Sequence, residues 1–238
     1  LTTAALFAGF YSIVAAMKGL FDVAAIAIFI AMIADSLDGR VARMTNTQSL
    51  FGAQYDSLSD MVSFGIAPAL VLYSWSLSYL GKLGWLASFL FVAAAALRLA
   101  RFNTQSHDKR YFQGLPSTSA AGFMASIVWV VSYYEVPGYE VAPFVMLIAI
   151  IVAALMVSMI RYHSFKAIDL RGRVPFMTAV IAVLLLTALA WYPPEILFIA
   201  FCIYVMSGPI VTLRQIRKMR KLRHSHSAKS SYNNMNTT

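Results

Sequence analysis

The sequence predicts an all-α fold, a polytopic membrane helical bundle of about eight transmembrane helices. Three observations lead there. The 238-residue chain is 60% hydrophobic and only 12% charged, with a mean hydropathy of +0.69, whereas soluble domains are about half apolar and about a quarter charged. Apolar stretches close to the roughly 20 residues that cross a bilayer recur from one end of the chain to the other. With eight spans, of the 19 Lys and Arg residues only Lys18 and Lys82 fall on one side of the membrane. That asymmetry follows the positive-inside rule.

The spans are expected near 2–17, 21–43, 50–79, 83–102, 117–134, 141–160, 173–191 and 195–213. Their breaks fall at Lys18-Gly19, Gly81-Lys82, Val136-Pro137-Gly138 and Pro193-Pro194, residues that interrupt helices. Polar loops near 44–49, 103–116 and 161–172 separate the others. The basic side carries both termini and is read as cytoplasmic. Asp22, Glu135, Glu140 and Glu195 are left for the opposite side. The chain divides into a transmembrane domain over 1–213 and a tail over 214–238, basic at first and then disordered. The chain opens on Leu1, already apolar, which reads as missing preceding residues and not as a signal peptide. The single cysteine, Cys202, excludes an internal disulfide, and no zinc-ligand spacing is present. The net charge of +9 is accounted for by the inner membrane face and its anionic lipids, so no nucleic-acid partner is expected.

Against this apolar background, residues 34–60 read ADSLDGRVARMTNTQSLFGAQYDSLSD and hold four of the ten acidic residues. Asp35 and Asp38 stand i, i+3 at the end of the second span. Asp56 and Asp60 stand i, i+4 at the start of the third. Each pair is expected on one helix face, and the short loop between them keeps the two helix ends close. Four uncompensated carboxylates at a membrane boundary are costly. Hard divalent cations relieve that cost, because Mg²⁺ and its kin prefer carboxylate oxygen. Two ions, Mg²⁺ or Mn²⁺, shared by the four aspartates would leave sites for phosphate oxygens and act as a clamp for phosphoryl transfer. Gly39 and Gly52 permit close backbone approach of a bulky ligand, Arg43 can hold a phosphate bidentately, and Ser49 offers a hydroxyl.

These residues resemble a family signature. The CDP-alcohol phosphatidyltransferase family carries D-x2-D-G-x2-A-R-x8-G-x3-D-x3-D, and Asp35, Asp38, Gly39, Ala42, Arg43, Gly52, Asp56 and Asp60 fill every fixed position at the right spacing. The resemblance implies a helical membrane enzyme, often a homodimer, whose site opens to the cytoplasm. Such an enzyme passes a phosphatidyl-type group from a CDP-linked donor to an alcohol and releases CMP. It implies metal binding by Asp35, Asp38 and Asp56, and by Asp60, which is also the expected general base. Contact with the CDP moiety is implied for Gly39, Ala42, Arg43, Ser49 and Gly52. Two further stretches, LRLARFN (97–103) and FQGLPSTSAAGF (112–123), with TTAALFAGFYSI at the start, are similar to the bacterial branch whose donor is CDP-diacylglycerol and whose acceptor is L-serine. That branch acts at the bacterial inner membrane.

Arg98 and Arg101, i, i+3 near the end of the fourth span, and Asn103 just beyond offer donors for a diphosphate or for the carboxylate of serine. Positive-inside anchoring accounts for the two arginines equally well. Two rival readings stand beside the main one. Within the family, glycerol 3-phosphate or inositol phosphate can replace serine as acceptor. In another class, the acidic cluster would be the transport site of a divalent-cation transporter, which calls for carboxylates near the bilayer midplane.

Overall fold

A computed structural model describes residues 1–45, 49–104, 111–163 and 176–212. The expected tail over 214–238 and the loop cations Lys109, Arg110, Lys166, Arg171 and Arg173 lie outside the described residues. Among the described residues eight helices follow one another: α1 (Thr2–Met17), α2 (Phe21–Thr45), α3 (Leu50–Trp75), α4 (Lys82–Thr104), α5 (Ser117–Tyr133), α6 (Gly138–Val157), α7 (Phe176–Trp191) and α8 (Pro193–Thr212). Four of them, α3, α4, α6 and α8, are long and apolar enough to cross a membrane, while α1 and α5 are apolar but shorter. Large apolar side chains such as Phe89, Phe144, Leu147 and Ile203 point outward, where a water-soluble bundle would carry polar groups. The chain is an integral membrane protein.

Small residues set how closely the helices pack. The buried stripe of α1 is Ala5, Ala8, Gly9, Ser12, Ala15 and Ala16, and it meets Ala24, Ala25, Ile28 and Ala31 of α2. Lipid gives helices no hydrophobic reason to associate, so close backbone approach and interhelical hydrogen bonds must do it. Ser12 Oγ donates to the Ala24 carbonyl at 2.8 Å, and Ser63 Oγ to the Ala5 carbonyl at 3.1 Å. At Gly9 a Cβ would come within 2.5 Å of Ser63 Oγ, so α1 and α3 pack backbone to backbone there. Aromatic rings fill the wider gap among α2, α5 and α8: Phe29 lies 5.8 Å from Trp129 and 6.0 Å from Phe201, and Phe123 stacks on Phe198.

Helix α3 is not regular throughout. Residues Met61–Ile66 form a π turn, closed by the Ala67 amide on the Val62 carbonyl. Pro68 has no amide hydrogen and cannot continue the ladder to Phe64, and a π turn absorbs the mismatch. The inserted residue rotates everything beyond it by about 100° relative to Asp56 and Asp60. The third span, expected to run to residue 79, ends at Trp75, and a 3-10 turn at Leu77–Leu80 follows.

The fold is all-helical apart from one short pairing between loops. The loops after α4 and α6, expected to be irregular, pair as two short antiparallel strands, β1 (Tyr111–Gln113) and β2 (Arg161–His163), with Phe112 opposite Tyr162. Both loops leave the same end of the bundle, so their backbone groups can satisfy one another. Tyr162 anchors the pair. It is fully buried, its hydroxyl donates to the Val205 carbonyl of α8 at 3.1 Å, and burial pushes the phenol up to about 12. Gly114 continues the pairing through its amide to the Ile160 carbonyl at 2.8 Å.

Gly114 has φ +79, and a Cβ there would stand 2.2 Å from the Met156 carbonyl oxygen. Gly19 has φ +75 with open space around it. Gly19→Ala is expected to cost about 1 kcal/mol from backbone strain alone, and Gly114→Ala about 2 kcal/mol or more because a clash adds to the strain. Thermal denaturation of the purified variants in one detergent checks the order.

Candidate active site

Three helix ends meet at the basic end of the bundle: the start of α1, the second half of α2 and the start of α3. The structure brings Asp35, Asp56 and Asp60 together there, with one carboxylate oxygen of each within 4.8 Å of the others. The Asp35 and Asp60 carboxyls are close enough to hydrogen bond, and Asp56 adds a second negative neighbour to Asp60. All three are half-buried.

Asp38 stands apart from this group. Its carboxylate accepts a hydrogen bond from the Thr2 hydroxyl of α1. Helix geometry gives the reason. An i, i+4 pair such as Asp56 and Asp60 diverges by about 40° around the axis, an i, i+3 pair such as Asp35 and Asp38 by about 60° in the other sense. Asp35 therefore follows the inward line of Ile28 and Ala31, and Asp38 turns toward α1.

The start of α1 acts as a clip between α2 and α3. Besides the Thr2 bond to Asp38, the Thr2 carbonyl accepts from Ser59 Oγ at 3.2 Å, and the Thr3 and Tyr55 hydroxyls lie 3.2 Å apart. Thr2, Thr3, Tyr55 and Ser59 were not singled out from sequence. The available signal was the spacing of Tyr55 and Ser59, each one residue before a motif aspartate.

Ser49 is the N-cap of α3, and its hydroxyl oxygen accepts from the Gly52 amide at 3.0 Å. That bond fixes the start of the helix carrying Asp56 and Asp60. The Ser49 side chain remains exposed and keeps its own hydrogen to donate. Gly52 would bring a Cβ within 3.1 Å of Ser49 Oγ, whereas Gly39 faces open space. Ala42 and Arg43 lie on the last turns of α2, and their side chains are outside the described residues.

The three polar residues of α4 separate into distinct roles. Arg98 is the cation that faces Asp60. Its Nη1 donates to Ser117 Oγ at 3.1 Å at the start of α5, and its buried Nε has no partner among the described residues. On its other side stands Tyr204 of α8, hydrogen-bonded to Ser119. Arg101 turns toward α6 and donates to the carbonyl of Val157, its last residue, at 3.0 Å. A cation at a helix C-terminus satisfies an orphan carbonyl and meets the negative end of the dipole. Asn103 Nδ2 donates to Ser57 Oγ at 3.0 Å, beside Asp56.

The carboxylate group suits a hard divalent cation. Oxygen ligands of such ions sit about 2.0–2.6 Å from the metal, so oxygens within 4.8 Å of one another can share one. The carboxylates of Asp35, Asp56 and Asp60 and the guanidinium of Arg98 lie side by side. A metal on the carboxylates could hold a polyanion, and a guanidinium can pair with a carboxylate.

Sequence comparison fits this geometry. The sequence matches the CDP-alcohol phosphatidyltransferase family over residues 1–137. The CDP-diacylglycerol–serine O-phosphatidyltransferase of Helicobacter pylori is 35% identical over 212 residues, which cover 88% of this chain and 87% of that protein. The protein of the same name from Methanocaldococcus jannaschii is 37% identical over 138 residues, 58% of this chain and 62% of its own. The archaetidylserine synthase of Methanothermobacter thermautotrophicus is 38% identical over 156 residues, 65% and 64% of the two chains. The matched region contains the aspartates that converge at the ends of α2 and α3, and on both grounds the chain belongs to the CDP-alcohol phosphatidyltransferase family.

Proposed function

We propose that this protein transfers the phosphatidyl group of CDP-diacylglycerol to the hydroxyl of L-serine, giving phosphatidylserine and CMP. The observation that carries the reading is the convergence of Asp35, Asp56 and Asp60 on the motif residues of the family. The printed names of relatives that align over most of the chain supply the acceptor. A transport site is not favoured, because the carboxylates sit at one end of the bundle.

Asp35, Asp38, Asp56 and Asp60 would hold the divalent metal, two ions of Mg²⁺ or Mn²⁺, which neutralises the donor's diphosphate and the charge that grows on departing CMP. Asp38 keeps acceptor capacity for this beyond its bond to Thr2, since a carboxylate has about four lone-pair positions. Gly39, Ala42, Arg43, Ser49 and Gly52 contact the CDP moiety, with the open space at Gly39 leaving room for it. Arg98 takes the serine carboxylate through its free Nε edge, with the charge of Asp60 beside it. Asn103, held by Ser57, lines the same rim. Arg101 serves mainly to tie α4 to α6.

The chemistry is a single displacement. Asp60 accepts the proton of the serine hydroxyl, which requires heavy-atom approach of about 2.6–3.2 Å. The serine oxygen forms a bond to the phosphorus that bears diacylglycerol, the bond from that phosphorus to CMP breaks, and CMP carries away the negative charge. All eight helices cross the membrane, residues 1–213 form one catalytic domain, the site faces the cytoplasm of a bacterial cell, and two protomers pair.

Purified protein given CDP-diacylglycerol should release CMP with L-serine and not with glycerol 3-phosphate or inositol phosphate. Chelation should stop the release, and Mg²⁺ or Mn²⁺ should restore it. CMP release with another acceptor only would overturn the assignment. Asp60→Asn should lower kcat by roughly 10²–10⁴-fold while a CDP-diacylglycerol binding assay changes little, and near-normal turnover would remove the base from Asp60. Arg98→Lys should raise KM for serine about tenfold, because a point charge replaces a planar fork, with the donor KM nearly unchanged.

A further inference from the structure

Arg98 is fastened from parts of the chain far from the aspartates. Ser117 and Ser119 share the first turn of α5. Ser117 is buried and accepts from Arg98 Nη1 at 3.1 Å. Ser119 is hydrogen-bonded to the hydroxyl of Tyr204 on α8, which lies beside the same guanidinium. Behind Tyr204 stands Tyr162 of β2, the ring centroids 5.8 Å apart and tilted by 41°. Tyr162 is itself fully buried, with its hydroxyl on the carbonyl of Val205, the next residue along α8. One turn on, a Cβ at Gly208 would come within 2.3 Å of the Tyr162 ring, so glycine there lets the ring lie against α8. Tyr204 therefore has a wall on one side and Arg98 on the other. It lies beyond residues 1–137, the stretch that matches the family.

We propose that Tyr204 is a positioning residue for the acceptor: held between Tyr162 and Ser119, its hydroxyl keeps the Arg98 guanidinium turned so that its Nε edge stays open for a carboxylate. The inference rests on the acceptor reading of Arg98 above and deepens it. A guanidinium on a long, flexible stem beside Asp60 has a competing arrangement, which is to close onto that carboxylate in a bidentate pair. Such a pair would use up the donor edge and make Asp60 a weaker base. In the structure Nη1 goes to Ser117 instead, and the buried Nε is left without a partner among the described residues. A single bond to Ser117 allows the guanidinium to swing about that contact. A phenol oxygen on the side away from Asp60 supplies the second point that fixes its plane. Because the phenol is tied to α5 and backed by the paired loops, the orientation of Arg98 is set by α5, α8 and β2 together.

Tyr204→Phe removes the hydroxyl and keeps the ring against Tyr162. The test measures kcat and the KM values for L-serine and for CDP-diacylglycerol in the full chain, in Tyr204→Phe, in Arg98→Lys and in the double variant. Tyr204→Phe is expected to raise KM for serine about fivefold, the worth of one hydrogen bond, with kcat and the donor KM changed less than about twofold. In the Arg98→Lys background the same substitution is expected to add less than about twofold, because residues that act through one another are not additive. No change in the serine KM, an equal rise for both substrates, or the full fivefold effect on top of Arg98→Lys each overturns the positioning role. Ser119→Ala, which removes the partner of the hydroxyl on α5, repeats the cycle should Tyr204→Phe fail to fold. If Arg98→Lys itself leaves the serine KM unchanged, the acceptor reading of Arg98 fails and the positioning role falls with it. A serine defect in Arg98→Lys without one in Tyr204→Phe sinks the positioning role alone.

Discussion

Three carboxylates held within 4.8 Å of one another at the edge of an apolar bundle are the constraint from which the rest of the architecture follows. At an effective dielectric of about 20, two charges at that separation repel by roughly 3 kcal/mol. When all are ionised, that repulsion favours parting of the helix ends. They are held by packing farther along the helices, where Gly9 and the alanines of α1 and α2 allow close approach. Hydroxyl-to-carbonyl bonds from Ser12 and Ser63 lock that approach. The bundle thus stores an electrostatic need that a divalent cation and an anionic ligand answer.

Cations and hydroxyls arrange themselves around that need. Arg98 faces Asp60 from α4 while Arg101, one turn on, is directed to the end of α6. Two arginines at i, i+3 thereby do different things, one beside the carboxylates and one at the end of α6. The N-terminus of α1 fastens to both acidic helices through Thr2 and Thr3. The π turn directly after Asp60 has the placement often seen at functional sites. It lets the N-terminal part of α3 present Asp56 and Asp60 while the remainder buries Phe64, Val71 and Leu72.

Much of this was legible in the sequence, for local reasons. The apolar segments fold as helices, four of them long enough to cross a membrane, because an apolar run in lipid can satisfy its backbone only within itself. The gathering of Asp35, Asp56 and Asp60 was legible because a short loop joins two helices whose periodicity is known. Less was legible where long-range partners decide. The pairing of residues 111–113 with 161–163 joins loops far apart in sequence, each too short and polar to announce a strand. Likewise nothing in the local pattern separates Arg98 from Arg101.

The sequence by itself determined the membrane bundle, the end of it that carries the charge and the identity of the acidic residues, because hydropathy, the positive-inside bias and helix periodicity act over a few turns of chain. Tertiary structure alone decided that Asp38 leans to Thr2 and away from its three companions, and that Arg98 is the cation beside Asp60. Each of these depends on which helix lies next to which and at what rotation. Those quantities come from close packing among distant segments, on which no local pattern reports.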